Sequence, residues 1–208
     1  MVAKKIKLFE ENPEERKLEE IASIVKKGGV VIYPTDTVYG LGCDIYKQQA
    51  IERIRKIKVI KSKQLNLAFI CYDLSDIASY TRHLDTPLFK LMKKTLPGPY
   101  TYLLESSAKV PKILNVKKKT VGIRIPDNNI PREIVRILGN PILTTSIHED
   151  DVEEYLTDPD DIYDSFKHLV DIVIDGGPGT LTPSTIIDCT QGAPALLREG
   201  AGAAELDI

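Results

Sequence analysis

The chain has 208 residues, 42% of them hydrophobic and 28% charged, with a formal net charge of -2. That length suits one large domain or two small ones and is enough to bury a good core, and the composition is that of an ordinary soluble globular protein. A balance so close to neutral excludes bulk attraction to nucleic acid or anionic lipid, so any such binding has to come from a local patch, and no apolar run approaches a membrane span. Cys43, Cys71 and Cys189 are odd in number, widely spaced and form neither CxxC nor a metal pattern, which predicts reduced thiols and a cytoplasmic location. The opening MVAKKIKLFEENPEE has no apolar h-region and does not read as a secretory signal.

The first predicted element is a helix over NPEERKLEEIASIVKKGG. Asn12 is placed to cap it, Pro13 fits its first turn, and Glu15 sits where a capping box needs it. Leu18, Ile21, Ala22 and Val25 form its apolar stripe, and Gly28 and Gly29 stop it. VVIY follows as a short buried strand. A helix from about Gln48 to Lys58 turns Ile51, Ile54 and Ile57 inward, and LNLAFICY reads as a strand. Thr86-Pro87 opens a helix over Leu88, Leu91 and Met92 that Pro97-Gly98 closes. YTYLLES and TVGIRIP read as strands, IPREIVRILG as a helix ending at Gly139, and PILTTS as a return to the sheet. An acidic, exposed excursion begins at His148. A helix around Ile162 to Leu169 and the strands DIVID, STIIDC and ALLRE complete the chain. The irregular mixture of strands and helices predicts one α/β domain, a mixed twisted open sheet with helices packed on it.

Several chemistries are absent. There is no GxxxxGK[ST] or GxGxxG phosphate loop, no GxSxG elbow, and no metal spacing among His83, His148 and His168, so no metal site is predicted. GGPGT, residues 176–180, reads as a tight turn. YPTDTVYGLGCD, from Tyr33 to Asp44, has a strand end opening into a loop of short oxygen-bearing side chains and two close glycines. Such a loop either presents hydroxyls and free amides to a ligand or satisfies its own backbone. In TTSIHED, Thr144 and Ser146 point to one face if the strand persists. Arg124 in GIRIP faces away from the apolar side, and Ser184 and Arg198 stand at strand ends. Hydroxyls and cations at several strand ends are what would gather an anion on one rim of a sheet. Between Arg53 and Lys63 there are six basic residues and no acidic one, which is either a solvated helix end or the seat of that anion.

In order, GGVVIYPTDTVYGLGCD, the KIK after the next helix, LPGPYTYLL, TVGIRIPDN, PILTTS, PSTIIDC and LLREGA resemble the YrdC/YciO family, from about Leu18 to Gly202. Its best-known members are L-threonylcarbamoyladenylate synthases. The resemblance implies a YrdC-like twisted open sheet with a large basic concavity, in the short form that lacks an extra C-terminal domain. It also implies a reaction of ATP, threonine and bicarbonate that feeds tRNA modification at adenosine 37. Mg²⁺ would accompany the phosphates, and no protein nucleophile is needed. Double-stranded RNA binding is assigned to some members.

By position, the resemblance implies that Thr35 touches the amino acid, Arg124 its carboxylate, and Thr144 and Ser184 the threonine side. Lys56, Lys58 and Lys61 or Lys63 would face the phosphates, with Thr120, Ser146, His148 and Arg198 on the nucleotide. Two departures stand out. Synthases show Lys-x-Arg-Pro followed by Lys-Pro-Leu where this chain has KIKVIKSKQLNL, and Ser-x-Asn where it has Ser146-Ile147-His148. Lysine lacks the planar fork of arginine, so Lys58 is not a conservative change at a phosphate. These departures are closer to the YciO branch. Two expectations result: a threonylcarbamoyl-AMP synthase, or a paralogue that keeps the cavity for RNA or nucleotide with the synthase activity lost or altered.

Overall fold

The computed structural model describes residues 2–61, 67–111, 120–147, 156–206 and 208. Among the described residues ten strands form one sheet in the order β1-β8-β2-β3-β7-β4-β6-β5-β9-β10, with six α-helices around it.

The apolar stripes define the faces. Helix α1 (Glu15–Lys26) buries Leu18, Ile21, Ala22 and Val25, as its spacing predicts. Its start differs: Glu14, not Asn12, is the N-cap, and no side chain bonds the first turn. The buried stripe holds the helix without a polar cap. α1 packs with α5 (Asn129–Leu138), which Asn128 caps by accepting from the Ile130 amide. Together they cover one face of β1 (Lys4–Lys7), β2 (Val31–Tyr33) and β8 (Ile172–Asp175). On the opposite face α2 (Gln48–Lys61) buries Ile51, Ile54 and Ile57, alongside Met92 of α4 (Thr86–Thr95) and Ile162 and Phe166 of α6 (Pro159–Phe166). The remaining strands are β4 (Ala68–Ile70), β5 (Tyr100–Glu105), β6 (Thr120–Arg124), β7 (Ile142–Ser146), β9 (Thr185–Asp188) and β10 (Ala195–Arg198).

Three elements have weak signals in the sequence. β1 is KKIK, an edge strand whose lysines pair outward with Glu20, Asp160 and Asp175 and whose Ile6 alone is buried. α3 (Leu74–Tyr80) is one short helix, capped by Asp73 accepting from the Ser75 and Asp76 amides. β3 (Gly40–Asp44) was expected as loop, yet it lies wholly buried between β2 and β7. A Cβ at Gly42 would stand 2.6 Å from Ile142 Cγ2 and 2.6 Å from the Leu143 carbonyl oxygen, so the two glycines that weaken the strand signal are what let it enter. The acidic excursion expected from His148 lies mostly outside the described residues.

Registers extend the α1/α5 face sideways. Gly42, Thr144, Ala68, Gly122 and Leu103 stand in one cross-strand row, and Arg124 and Thr101 share its face. α5 packs on Ile142 of β7 and Ile70 of β4 at one end of this half, and the remainder lines a cavity. The link from β8 to β9, residues 176–184, runs across it: Tyr39 donates to the Gly177 carbonyl at 2.6 Å, and the Thr180 amide donates to the Thr37 carbonyl at 3.4 Å. The glycine-rich stretch bends once, at Gly177 with φ 88°, and then runs on as a crossing link instead of the tight turn expected.

Gly42→Ala should lower the unfolding free energy by about 1–3 kcal/mol, because the neighbours at the new methyl include backbone. A urea titration would show a lower midpoint at unchanged slope; an unchanged midpoint would mean that β3 and β7 can separate freely.

Candidate functional site

The open half of the sheet face is the floor of a cavity of about 880 Å³. Thr144 and Ser146 reach it from β7, Thr120 and Arg124 from β6, Ser184 from the end of the link just before β9, Arg198 from β10, and Thr35 from the β2–β3 loop. Seven residues singled out from the sequence therefore meet in one place. Small side chains make room for it. A Cβ on Gly122 would come within 3.1 Å of the Ala68 Cβ, so even one carbon there would begin to fill the floor.

Several polar groups on the wall are held by hydrogen bonds or an ion pair. Thr35 Oγ1 donates to the Val38 carbonyl at 2.8 Å and accepts from the Thr37 amide at 3.0 Å, so its loop satisfies its own backbone and faces the cavity at once. Tyr33 donates to Thr144 Oγ1 at 2.5 Å, and burial raises its phenol pKa above the ordinary value. Thr101 and Ser184 hydroxyls lie 2.8 Å apart, and Arg198 donates to the Ser184 carbonyl at 2.6 Å. Arg124, only 7% exposed, is paired with Asp36, while Asp36 Oδ2 and Arg124 Nε have no hydrogen-bond partner. An arginine on a short strand usually points to solvent; here it is a buried charge answered by a buried carboxylate. Glu10 feels that carboxylate: burial first, then the charges of Asp127, Glu11 and Asp36, hold the Glu10 carboxyl above its usual range. Tyr39 bridges the loop and the crossing link, and burial pushes its phenol up to about 12.

The basic run divides by helix phase. Lys56 is exposed and does not line the cavity. Lys58 is buried, and its Nζ donates to the Ser146 carbonyl at 3.1 Å, a contact with the end of β7. Arg55 lines the cavity instead. Of Lys61 only the backbone is described, and Lys63 and His148 lie outside the described residues. Sequence reasoning missed Arg55, Asp36 and Thr101. The signal for Arg55 was present, since it lies four residues after Ile51 and three before Lys58 on the helix. Asp36 stood inside the quoted YPTDTVYG segment, but nothing in the sequence showed that Arg124 would reach it. Arg55, Arg124 and Arg198 are the only charged side chains lining the cavity among the described residues. No group of three His, Cys, Asp or Glu residues is placed to hold a metal among them, and no helix is long and apolar enough to cross a membrane.

A family model described as telomere recombination, covering the Sua5, YciO and YrdC proteins, matches residues 23–200. The chain belongs to the Sua5/YciO/YrdC family. It is 39% identical over 193 residues to the Escherichia coli protein YciO, spanning 92% of this chain and 93% of that one. The crystal structure of E. coli YciO superposes with a TM-score of 0.90 at 37% identity, over 98% of both chains. A putative threonylcarbamoyl-AMP synthase of Methanocaldococcus jannaschii is 36% identical over 200 residues, 94% of this chain and 92% of that protein. The structure of Pyrococcus abyssi Sua5 complexed with L-threonine superposes with a TM-score of 0.84 at 27% identity, over 95% of this chain and 58% of that one.

Removing one partner of the buried pair strands a charge. Asp36→Ala should cost about 3–5 kcal/mol, and Asp36→Leu combined with Arg124→Met should recover most of it. Urea unfolding of the single and double variants measures this; a double variant as unstable as the single would place the loss elsewhere in the loop.

Proposed function

We propose that the cavity binds ATP, threonine and bicarbonate and forms threonylcarbamoyl-AMP, for tRNA adenosine-37 modification in the cytoplasm. The observation that carries this reading is the meeting of Thr35, Thr120, Arg124, Thr144, Ser146, Ser184 and Arg198 on one open face, lined among the described residues by three arginines and no carboxylate. The synthase names of the M. jannaschii and P. abyssi relatives, and the L-threonine held by P. abyssi Sua5, support it.

In the first step the amine of threonine attacks the carbon of bicarbonate, a C–N bond forms and water leaves. In the second, a carbamate oxygen attacks the α-phosphorus, the bond to the bridging oxygen breaks, and pyrophosphate departs. Neither step needs a protein nucleophile. The protein's task is to align two anions and to offset charge as it moves to the leaving pyrophosphate. Arg124 meets the threonine carboxylate, with Thr35 beside the amino acid and Thr144 and Ser184 on its side-chain end. Thr120, Ser146 and Arg198 take the nucleotide. Among the described residues no carboxylate lines the cavity, so Mg²⁺, if used, would be held there by the phosphates it accompanies.

A second reading is favoured by one observation. Lys58, where synthases carry arginine, spends a hydrogen bond on the Ser146 carbonyl. A chain without that guanidinium could bind nucleotide or double-stranded RNA in the cavity and complete the synthesis slowly or not at all.

Pyrophosphate release decides between them. The synthase reading expects release that needs ATP, threonine and bicarbonate together, and a loss on the order of a hundredfold in kcat/KM for Arg198→Ala. Release indifferent to threonine and bicarbonate would overturn it. ATP binding without release would leave the second reading standing.

A further inference from the structure

We infer that Arg55 is the cation of helix α2 that reads a polyphosphate in the cavity, in place of Lys56 and Lys58 of the Lys-x-Lys segment. The inference rests on the proposed nucleotide site and deepens it.

Helix phase is the first observation. Residues 51, 55 and 58 fall on one side of an α-helix, at steps of four and three, and residue 56 falls a full 100° further round from 55. Ile51 and Lys58 are buried on that side, and Lys56 is exposed. Arg55 lies between the two buried residues and lines the cavity, with its side chain 30% exposed. It can touch a ligand and solvent together. Lys56 points away from the floor, so its charge acts there only across solvent, where screening is strong.

The second observation is what Lys58 does. It is 4% exposed, and its ammonium donates to the Ser146 carbonyl at 3.1 Å. That bond anchors the last residue of β7, whose hydroxyl side faces the cavity. Lys58 therefore positions Ser146 from behind the wall. The guanidinium that a phosphate favours is supplied one turn earlier on the same helix.

The third is preorganisation. Arg55 Nη1 lies 2.8 Å from Glu52 Oε1, an i,i+3 pair on the exposed rim. The Glu52 side chain is 46% exposed, so this ion pair is a screened one. Arg55 approaches from α2, Arg124 from β6 and Arg198 from β10, three separate elements around the same floor. A linear polyanion laid along that floor meets more than one of them, and each offers a planar fork that suits phosphate oxygens.

The test is calorimetric titration of the full chain with ATP and, separately, with inorganic tripolyphosphate, each at two salt concentrations. Arg55→Ala should weaken both ligands roughly tenfold and flatten the salt dependence, as loss of one phosphate contact does. Arg55→Lys should recover part of the affinity, because it keeps the charge and loses the fork. Lys56→Ala should weaken binding only a few-fold, through screened charge. Thermal melts of the variants separate loss of binding from loss of fold. If ATP fails to bind but tripolyphosphate binds through Arg55, the inference stands and the nucleotide reading falls. If both bind and Arg55→Ala matches the parent, or Lys56→Ala loses more than Arg55→Ala, the inference is overturned while the nucleotide reading survives. Absence of binding by either ligand overturns both.

Discussion

One short link constrains the whole sheet. β8 is second in the strand order and β9 ninth, seven places apart, yet only residues 176–184 join them. In a flat sheet seven interstrand steps would span about 34 Å. Following the pairings from β8 through to β9, the two strands run in the same direction, so the link also has to return by a strand's length. Ten Cα steps from Asp175 to Thr185 reach at most about 36 Å when fully extended, and a chain with a left-handed residue at Gly177 is not fully extended. The sheet can close this connection only by curling toward the link. The concavity is a consequence of that chord, and Tyr39 and Thr37 tie the chord down where it starts to cross.

A curled sheet with two helices on its concave side can cover only part of that side. α1 and α5 occupy the half built from β1, β8 and β2, where Ile6, Ile172, Ile174 and Val31 supply apolar surface, and α5 also packs on Ile142 and Ile70 at one end of β7 and β4. The other half carries Thr144, Ala68, Gly122 and Thr101 on the same face. These residues are too small or too polar to seat another helix. The same rows thus change from core to site without a break in the sheet, and catalytic or binding groups inherit the rigidity of strands. Strain is absent from this arrangement, but charge is not: Arg124 brings a guanidinium into the wall, and Asp36 answers it.

The helices with long apolar periodicity, α1, α2, α4 and α5, were legible because burial and sequence period agree. β3 was not, since Gly40 and Gly42 serve a close packing that only the three-dimensional neighbours Tyr33 and Ile142 define. β1 hid behind its lysines, which edge strands favour for reasons of solubility rather than pairing. In the site, hydroxyls at strand ends were legible because they break an apolar pattern at a point where a strand stops. Contacts across the sheet were not: nothing in the chain order reveals that Asp36 reaches Arg124, or that Thr101 reaches Ser184. The lysine run misled in phase. A cluster of cations attracts attention to its centre, whereas the helix rotates each residue by 100° and turns Arg55 toward the cavity and Lys56 away.

Every cation near the floor has an internal tether, and the tethers differ in kind. Arg124 has a buried carboxylate, Arg198 a carbonyl and hydroxyl of Ser184, Lys58 the carbonyl of Ser146, and Arg55 a partly exposed carboxylate. A carbonyl or hydroxyl fixes the direction of a cation without opposing its charge, whereas the Asp36 carboxylate offsets much of the charge of Arg124. On the proposed reading, a ligand carboxylate at Arg124 would share the guanidinium with Asp36, and a polyanion would lie toward Arg198 and Arg55. Tethering also means that the cost of ordering long side chains is met on folding, so binding loses little entropy there. On the proposed reading, the alignment of two anionic partners on one floor would follow from where the sheet places its strand ends.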